Sequence, residues 1–176
     1  MEQATAAARW LLEAGVEGIP LTQTHALARA VVREAAERWT GWWDAELFGP
    51  PHREGEVAVL QELHEGLRRL KLVRRRGRRL FSTPRGRQLT GDPAALLQLL
   101  LSDLGGGDAF TEVVAAVVTA RLAGGLPCEH DDLVAPALRR ARQGGWRGPD
   151  GQPPGEREVS WTVGDVLCRG EGYGLI

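Results

Sequence analysis

The stretch RRLKLVRRRGRRLFSTPRGR, residues 68–87, decides how the rest of the chain is read. It holds ten of the chain's 22 Lys and Arg residues and no acid. After Leu70, its apolar residues come in two pairs, Leu72-Val73 and Leu80-Phe81, set on either side of arginine runs that meet at Gly77. Strand-forming pairs around a glycine turn predict a hairpin, with strands over 72–76 and 78–82. Thr83-Pro84 then opens a helix, with Thr as N-cap and Pro at the first helical position. Outside this window twelve basic residues face 23 acidic ones, so a chain of net charge -1 is a +10 segment on a -11 background. Clustered positive charge of this kind attracts phosphate or an acidic surface.

Upstream, helical periodicity predicts a helix over 56–70 with the apolar stripe Val57, Leu60, Leu63-His64, Leu67 and Leu70. Residues 40–55, TGWWDAELFGPPHREG, read as a loop whose aromatics dock it onto the core. A second helix is expected over 24–39, with Thr24 as its N-cap. Ile19-Pro20-Leu21-Thr22 is extended, because a residue before proline avoids the helical region. The first helix carries Ala6, Trp10, Leu11 and Ala14 on one face and ends near Gly15.

Downstream, Asp92-Pro93 repeats the cap-then-proline grammar and starts a helix to about residue 104. Gly105-Gly106-Gly107 marks the expected domain boundary, giving domains 1–104 and 105–176. Residues 109–123 are apolar nearly all round, which predicts a helix buried on every side. Asp131-Asp132 cap a helix to about residue 143, and a last helix covers 158–169. Shifted by 103 residues, Leu60, Leu63, Leu70, Leu72 and Val73 fall on Val163, Val166, Tyr173, Leu175 and Ile176. A repeat and a chance alignment of two amphipathic helices both fit this echo.

Helix, extended piece, helix, helix, hairpin, helix is the order of a winged helix-turn-helix. The fold class expected is mostly α with a small β-hairpin wing, either as one copy or as two tandem copies with the second incomplete. The segment 63–89 resembles the recognition-helix-to-wing segment of MarR-like winged-helix proteins, through Leu67, Leu70, Leu72-Val73, the basic hairpin, Thr83-Pro84 and Gly86-Arg87. Over nearly its whole length the chain is similar to an uncharacterised actinobacterial region often appended to plasmid TnpR-like proteins. The likeness rests on LTQTHALARAVV, the Trp loop, Asp92-Pro93, the 109–123 helix and Gly144-Gly145-Trp146. That region continues to a second threonine-proline-glycine segment, whereas this chain stops at Gly174-Leu175-Ile176, so a fragment of a longer protein is expected. The resemblance implies a fold and no established activity.

Two functional classes follow. In one, the chain binds DNA with weak sequence preference through Arg68, Arg69, Arg74, Arg75, Arg76, Arg78, Arg79, Arg85 and Arg87. Glu62 and Glu65 on the outward face of the preceding helix oppose its entry into a major groove, so the wing carries the contact. In the other, the same wing meets an acidic partner protein, with Trp42, Trp43 and Phe48 as a further contact patch or as core. The expected partners are DNA or an acidic protein surface, with a homodimer open and no membrane.

Enzyme chemistry is not expected: GxSxG, GxxxxGK followed by Ser or Thr, and a strand-borne GxGxxG are all missing. Cys128, His130, Asp131 and Asp132 lack paired metal-ligand spacing and read as a helix cap, so neither metal nor cofactor is expected. No apolar run approaches the roughly 20 residues of a membrane span, and the N-terminus is unlike a secretory signal. With only two cysteines, a cytoplasmic setting is expected.

Overall fold

The computed structural model describes residues 5–148 and 150–176. It is mostly helical, with one small antiparallel sheet. The elements are α1 (Ala6–Glu17), β1 (Ile19–Pro20), α2 (Arg29–Arg38), α3 (Ala45–Phe48), α4 (Ala58–Arg69), β2 (Val73–Arg76), β3 (Arg79–Ser82), α5 (Pro84–Thr90), α6 (Pro93–Ser102), α7 (Ala109–Ala123), α8 (His130–Gln143) and α9 (Glu156–Tyr173). The chain divides into two compact units, residues 1–97 with 172–174, and residues 98–171 with 175–176. Among the described residues no helix is long and apolar enough to cross a membrane.

The first unit has the winged-helix element order, and its strand order is β1-β3-β2. Ile19 pairs with Leu80 and Pro20 with Arg79, while Val73 pairs with Ser82 and Arg76 with Arg79. Pro20 can occupy β1 because that strand is an edge, where a missing N–H costs no ladder bond. Leu11 and Leu12 of α1, Val32 and Ala35 of α2, Leu60, Leu63 and Leu67 of α4, and Leu72 and Leu80 of the hairpin are fully buried in this unit. Each such leucine contributes on the order of 1.5–3 kcal/mol through burial. Ser82 Oγ donates to the Leu12 carbonyl and ties β3 to α1. Gly86 on α5 stands so close to the Leu72 carbonyl that a β-carbon there would collide with it. Gly66 on α4 leaves the space that the buried ring of Tyr173 occupies.

Several expected boundaries shift. Helix α2 starts at Arg29 rather than at residue 24, with Ala28 as an N-cap that offers no side-chain bond. Residues 22–28 instead form a turn, closed by a Leu21–Leu27 bridge, by Thr22 N–H to the Ala26 carbonyl at 2.8 Å and by Ala26 N–H to Thr22 Oγ1 at 3.2 Å. Thr24 therefore caps no helix, and His25 takes a positive φ of 67°. Helix α1 runs on through Gly15 to Glu17, and Ala14 faces solvent. The 40–55 loop contains α3, capped by Asp44 Oδ1 accepting from Leu47 N–H at 2.9 Å, and two 3-10 turns.

In the second unit α7, α8 and α9 enclose a core of Phe110, Val114, Val118, Leu133, Ala137, Ala141, Val159, Val163 and Val166. Helix α7 is not buried all round: Glu112, Ala116, Thr119 and Ala120 are exposed, and burial follows the 110, 114, 118 spacing of one face. Asp131 and Asp132 lie in the first turn of α8 and do not cap it; Glu129 holds the N-cap position. Helix α9 is longer than expected, reaching Tyr173. The described residues of this unit contain no strand. A 103-residue shift lays α1 within α7, α2 within α8 and α4 within α9.

Candidate functional site

The basic hairpin takes its shape from local chemistry. Gly77, at φ +59°, occupies the first turn position, where a positive φ costs an L-residue steric strain. Val73 and Leu80 bury the base of the hairpin against the core, and Thr83 fixes its exit. Thr83 Oγ1 donates to the Leu72 carbonyl at 3.1 Å and accepts from Gly86 N–H at 3.1 Å, so one hydroxyl joins the wing to the first turn of α5.

That anchoring leaves the arginines outside. Arg74, Arg75, Arg76, Arg78 and Arg79 are all exposed, as is Arg85 at the start of α5. Strand alternation puts Arg74, Arg76 and Arg79 with Phe81 on the face opposite Val73 and Leu80. Arg75, paired with Leu80, lies on the core side near the tip, and Arg78 lies in the turn. Among the described residues none of these six is in an ion pair with an acid. Arg76 and Arg79 sit directly opposite each other, an arrangement that costs free energy until an anion approaches.

The remaining expected contacts are less uniform. Arg68 is exposed on α4. Arg69 is exposed too, but its guanidinium donates to the Tyr173 hydroxyl at 3.3 Å. Arg87 Nη1 donates to the Ser82 carbonyl at 2.9 Å and braces the wing. On the outward side of α4, Gln61 Nε2 donates to Glu65 Oε1 at 3.0 Å, and Glu62 is half-buried. Phe48 and Leu47 of α3 are 66% and 70% exposed, so they do not dock onto the core. Trp42 stacks on Trp39 at 4.8 Å, and Trp39 meets the buried Trp10 edge-on at 5.0 Å.

Sequence reasoning missed a buried acid–histidine pair. His64 Nδ1–H donates to Glu54 Oε1 at 2.7 Å, with both side chains about 95% buried. Glu54 Oε2 accepts from Leu27 N–H at 2.5 Å. His64 is legible as a core residue from the stripe of α4, but Glu54 lies in a polar loop, and no local signal marks it as buried.

In the second unit the PCEHDD cluster is tied into the helix packing. His130 Nδ1 pairs with Asp131 Oδ1 at 3.0 Å, and Nε2 donates to the Ser160 carbonyl at 3.0 Å. The Asp131 hydrogen bond first, and the Ser160 carbonyl second, hold this imidazole above its ordinary value and favour its cation. Asp132 pairs with Arg121 at 2.6 Å. Burial pushes the Cys128 thiol up, which disfavours the thiolate. Among the described residues no group of three His, Cys, Asp or Glu could hold a metal ion.

The family model of the Y4jL N-terminal domain matches residues 2–95, more than half of the chain. The chain therefore belongs to the Y4jL N-terminal domain family. No curated protein and no solved structure matches it.

Proposed function

We propose that this member of the Y4jL N-terminal domain family is a non-enzymatic, cytoplasmic protein that binds DNA with weak sequence preference through its basic wing. One observation carries the reading: five exposed arginines on a single hairpin, none in an ion pair with an acid among the described residues. A hairpin presenting only positive charge suits phosphates, which every DNA sequence displays. The acids Glu62 and Glu65 on α4 disfavour base reading by that helix, which leaves the wing as the dominant contact. The 103-residue offset between the helices of the two units supports a tandem origin for the second.

A second reading is a protein contact, in which the wing meets an acidic partner. The exposure of Leu47 and Phe48 favours it, because adjacent apolar side chains at a surface mark interaction sites more often than chance. Replacing Arg74, Arg75, Arg76, Arg78 and Arg79 by Gln separates the two. The DNA reading expects an anisotropy titration on a mixed-sequence duplex at low salt to show binding by the native chain and none by the variant. No binding by the native chain to any duplex would refute it.

A further inference from the structure

Helix α2 and the 40–51 segment that carries α3 border an open groove of about 530 Å³ in the first unit. Ala36, the half-buried Trp43, Pro50 and Pro51 give it an apolar surface. Leu47 and Phe48 stand exposed on the same short helix, so the apolar surface continues past the groove. Glu37, Asp44 and Glu46 also line it. All three are exposed, and none is in an ion pair with a basic side chain among the described residues. Of the described residues that line the groove only Arg33 is basic, and its Nε donates to the Pro51 carbonyl at 3.4 Å. Carboxylates beside an indole ring suit a guanidinium, which pairs with the oxygens and packs on the ring.

The chain itself supplies the complementary surface. The wing presents Arg74, Arg75, Arg76, Arg78 and Arg79 without an acid beside them among the described residues, so it does not occupy the groove of its own copy. Arg76 and Arg79 lie opposite each other across the strands, a like-charge pair that carboxylates relieve. With a net charge of -1, two copies do not repel at long range, while their opposite patches attract. The wing and the groove are different patches of one unit, so each copy can offer its wing to one neighbour and its groove to another.

We infer that the α2–α3 groove docks the basic wing of a second copy of this chain. The inference rests on the second reading above, a protein contact by the wing, and names the partner. Sedimentation velocity of the full chain without DNA tests it. The native chain should associate with rising concentration at low salt and return to a monomer at high salt. A groove variant, Glu37→Gln with Asp44→Asn and Glu46→Gln, and a wing variant, Arg75→Gln with Arg78→Gln, should each raise the dissociation constant about tenfold or more. All five are exposed positions, and Asn keeps the cap of α3. Mixed one to one, the two variants should form a pair, because one keeps its wing and the other its groove. That pairing also shows that both variants are folded. A native chain that stays monomeric at low salt, association that neither variant weakens, or a mixture that behaves as the sum of its parts overturns the inference. Binding to immobilised polyglutamate separates the two failures. A chain that binds it through the wing but stays monomeric loses the second copy as partner and keeps the acidic-partner reading; one that does neither loses both.

Discussion

Replacing His64 by Leu tests the packing account of the first unit at its most demanding point. Among the described residues the imidazole is the side-chain partner of the Glu54 carboxylate, through the 2.7 Å contact to Oε1. Leucine fills most of the same space but leaves the carboxylate buried with the Leu27 N–H alone. Removing one member of a buried, hydrogen-bonded pair costs about 3–5 kcal/mol. That converts to a rise of roughly two to four orders of magnitude in the opening equilibrium. Hydrogen exchange is the suitable assay, because a chain of two units need not unfold in one step. Amides of Leu63 and Leu67, in the buried face of α4, should exchange faster by that factor. Adding Glu54→Gln should restore most of the protection, since the amide keeps an oxygen for Leu27 N–H and no charge remains stranded. A loss under about 1 kcal/mol, the size of an ordinary exposed pair, would refute the reasoning, as would a double variant no more stable than the single one.

Other perturbations reach separate parts of the chain. Gly86→Ala should cost about 1–3 kcal/mol in chemical denaturation, because its β-carbon would drive α5 away from the Leu72 carbonyl. Thr83→Ala should cost about 1 kcal/mol by removing the α5 cap, read from the same denaturation midpoint. His130 has a raised folded pKa, so its contribution is fully present below the unfolded value and is lost as pH rises through the folded one. Protection against hydrogen exchange in α8 and α9, corrected for the intrinsic rate, should therefore fall over that rise. Asp131→Asn, which removes the first cause of the shift, should flatten the dependence.

The hairpin is readable from its residues because its determinants are local: two apolar pairs, a central glycine and a Thr-Pro cap. The start of α2 is not. Thr24 has the side chain of an N-cap, but Ala28 N–H bonds to the Pro20 carbonyl at 3.1 Å and Leu27 N–H to Glu54, and these hold residues 22–28 out of the helix. One of those partners is 27 residues away, beyond any window of periodicity. Exposure on the loop is equally hidden. Trp42 joins a ring stack with Trp39, while Phe48, on a four-residue helix, meets only the Trp43 ring at 5.4 Å among the ring contacts of the described residues, and Leu47 and Phe48 stay largely exposed. For the candidate site, charge clustering locates the wing arginines, but composition cannot distinguish Arg74 on the hairpin from the equally exposed Arg87, which braces a strand carbonyl.

The salt dependence of DNA affinity tests the wing most directly. Six exposed arginines, the five of the hairpin and Arg85, give an expected slope of log affinity against log salt of about -5 if each engages a phosphate. Arg75→Gln with Arg78→Gln should reduce it to about -4. A slope near zero, or one that the double variant leaves unchanged, would contradict a wing that works by meeting phosphates.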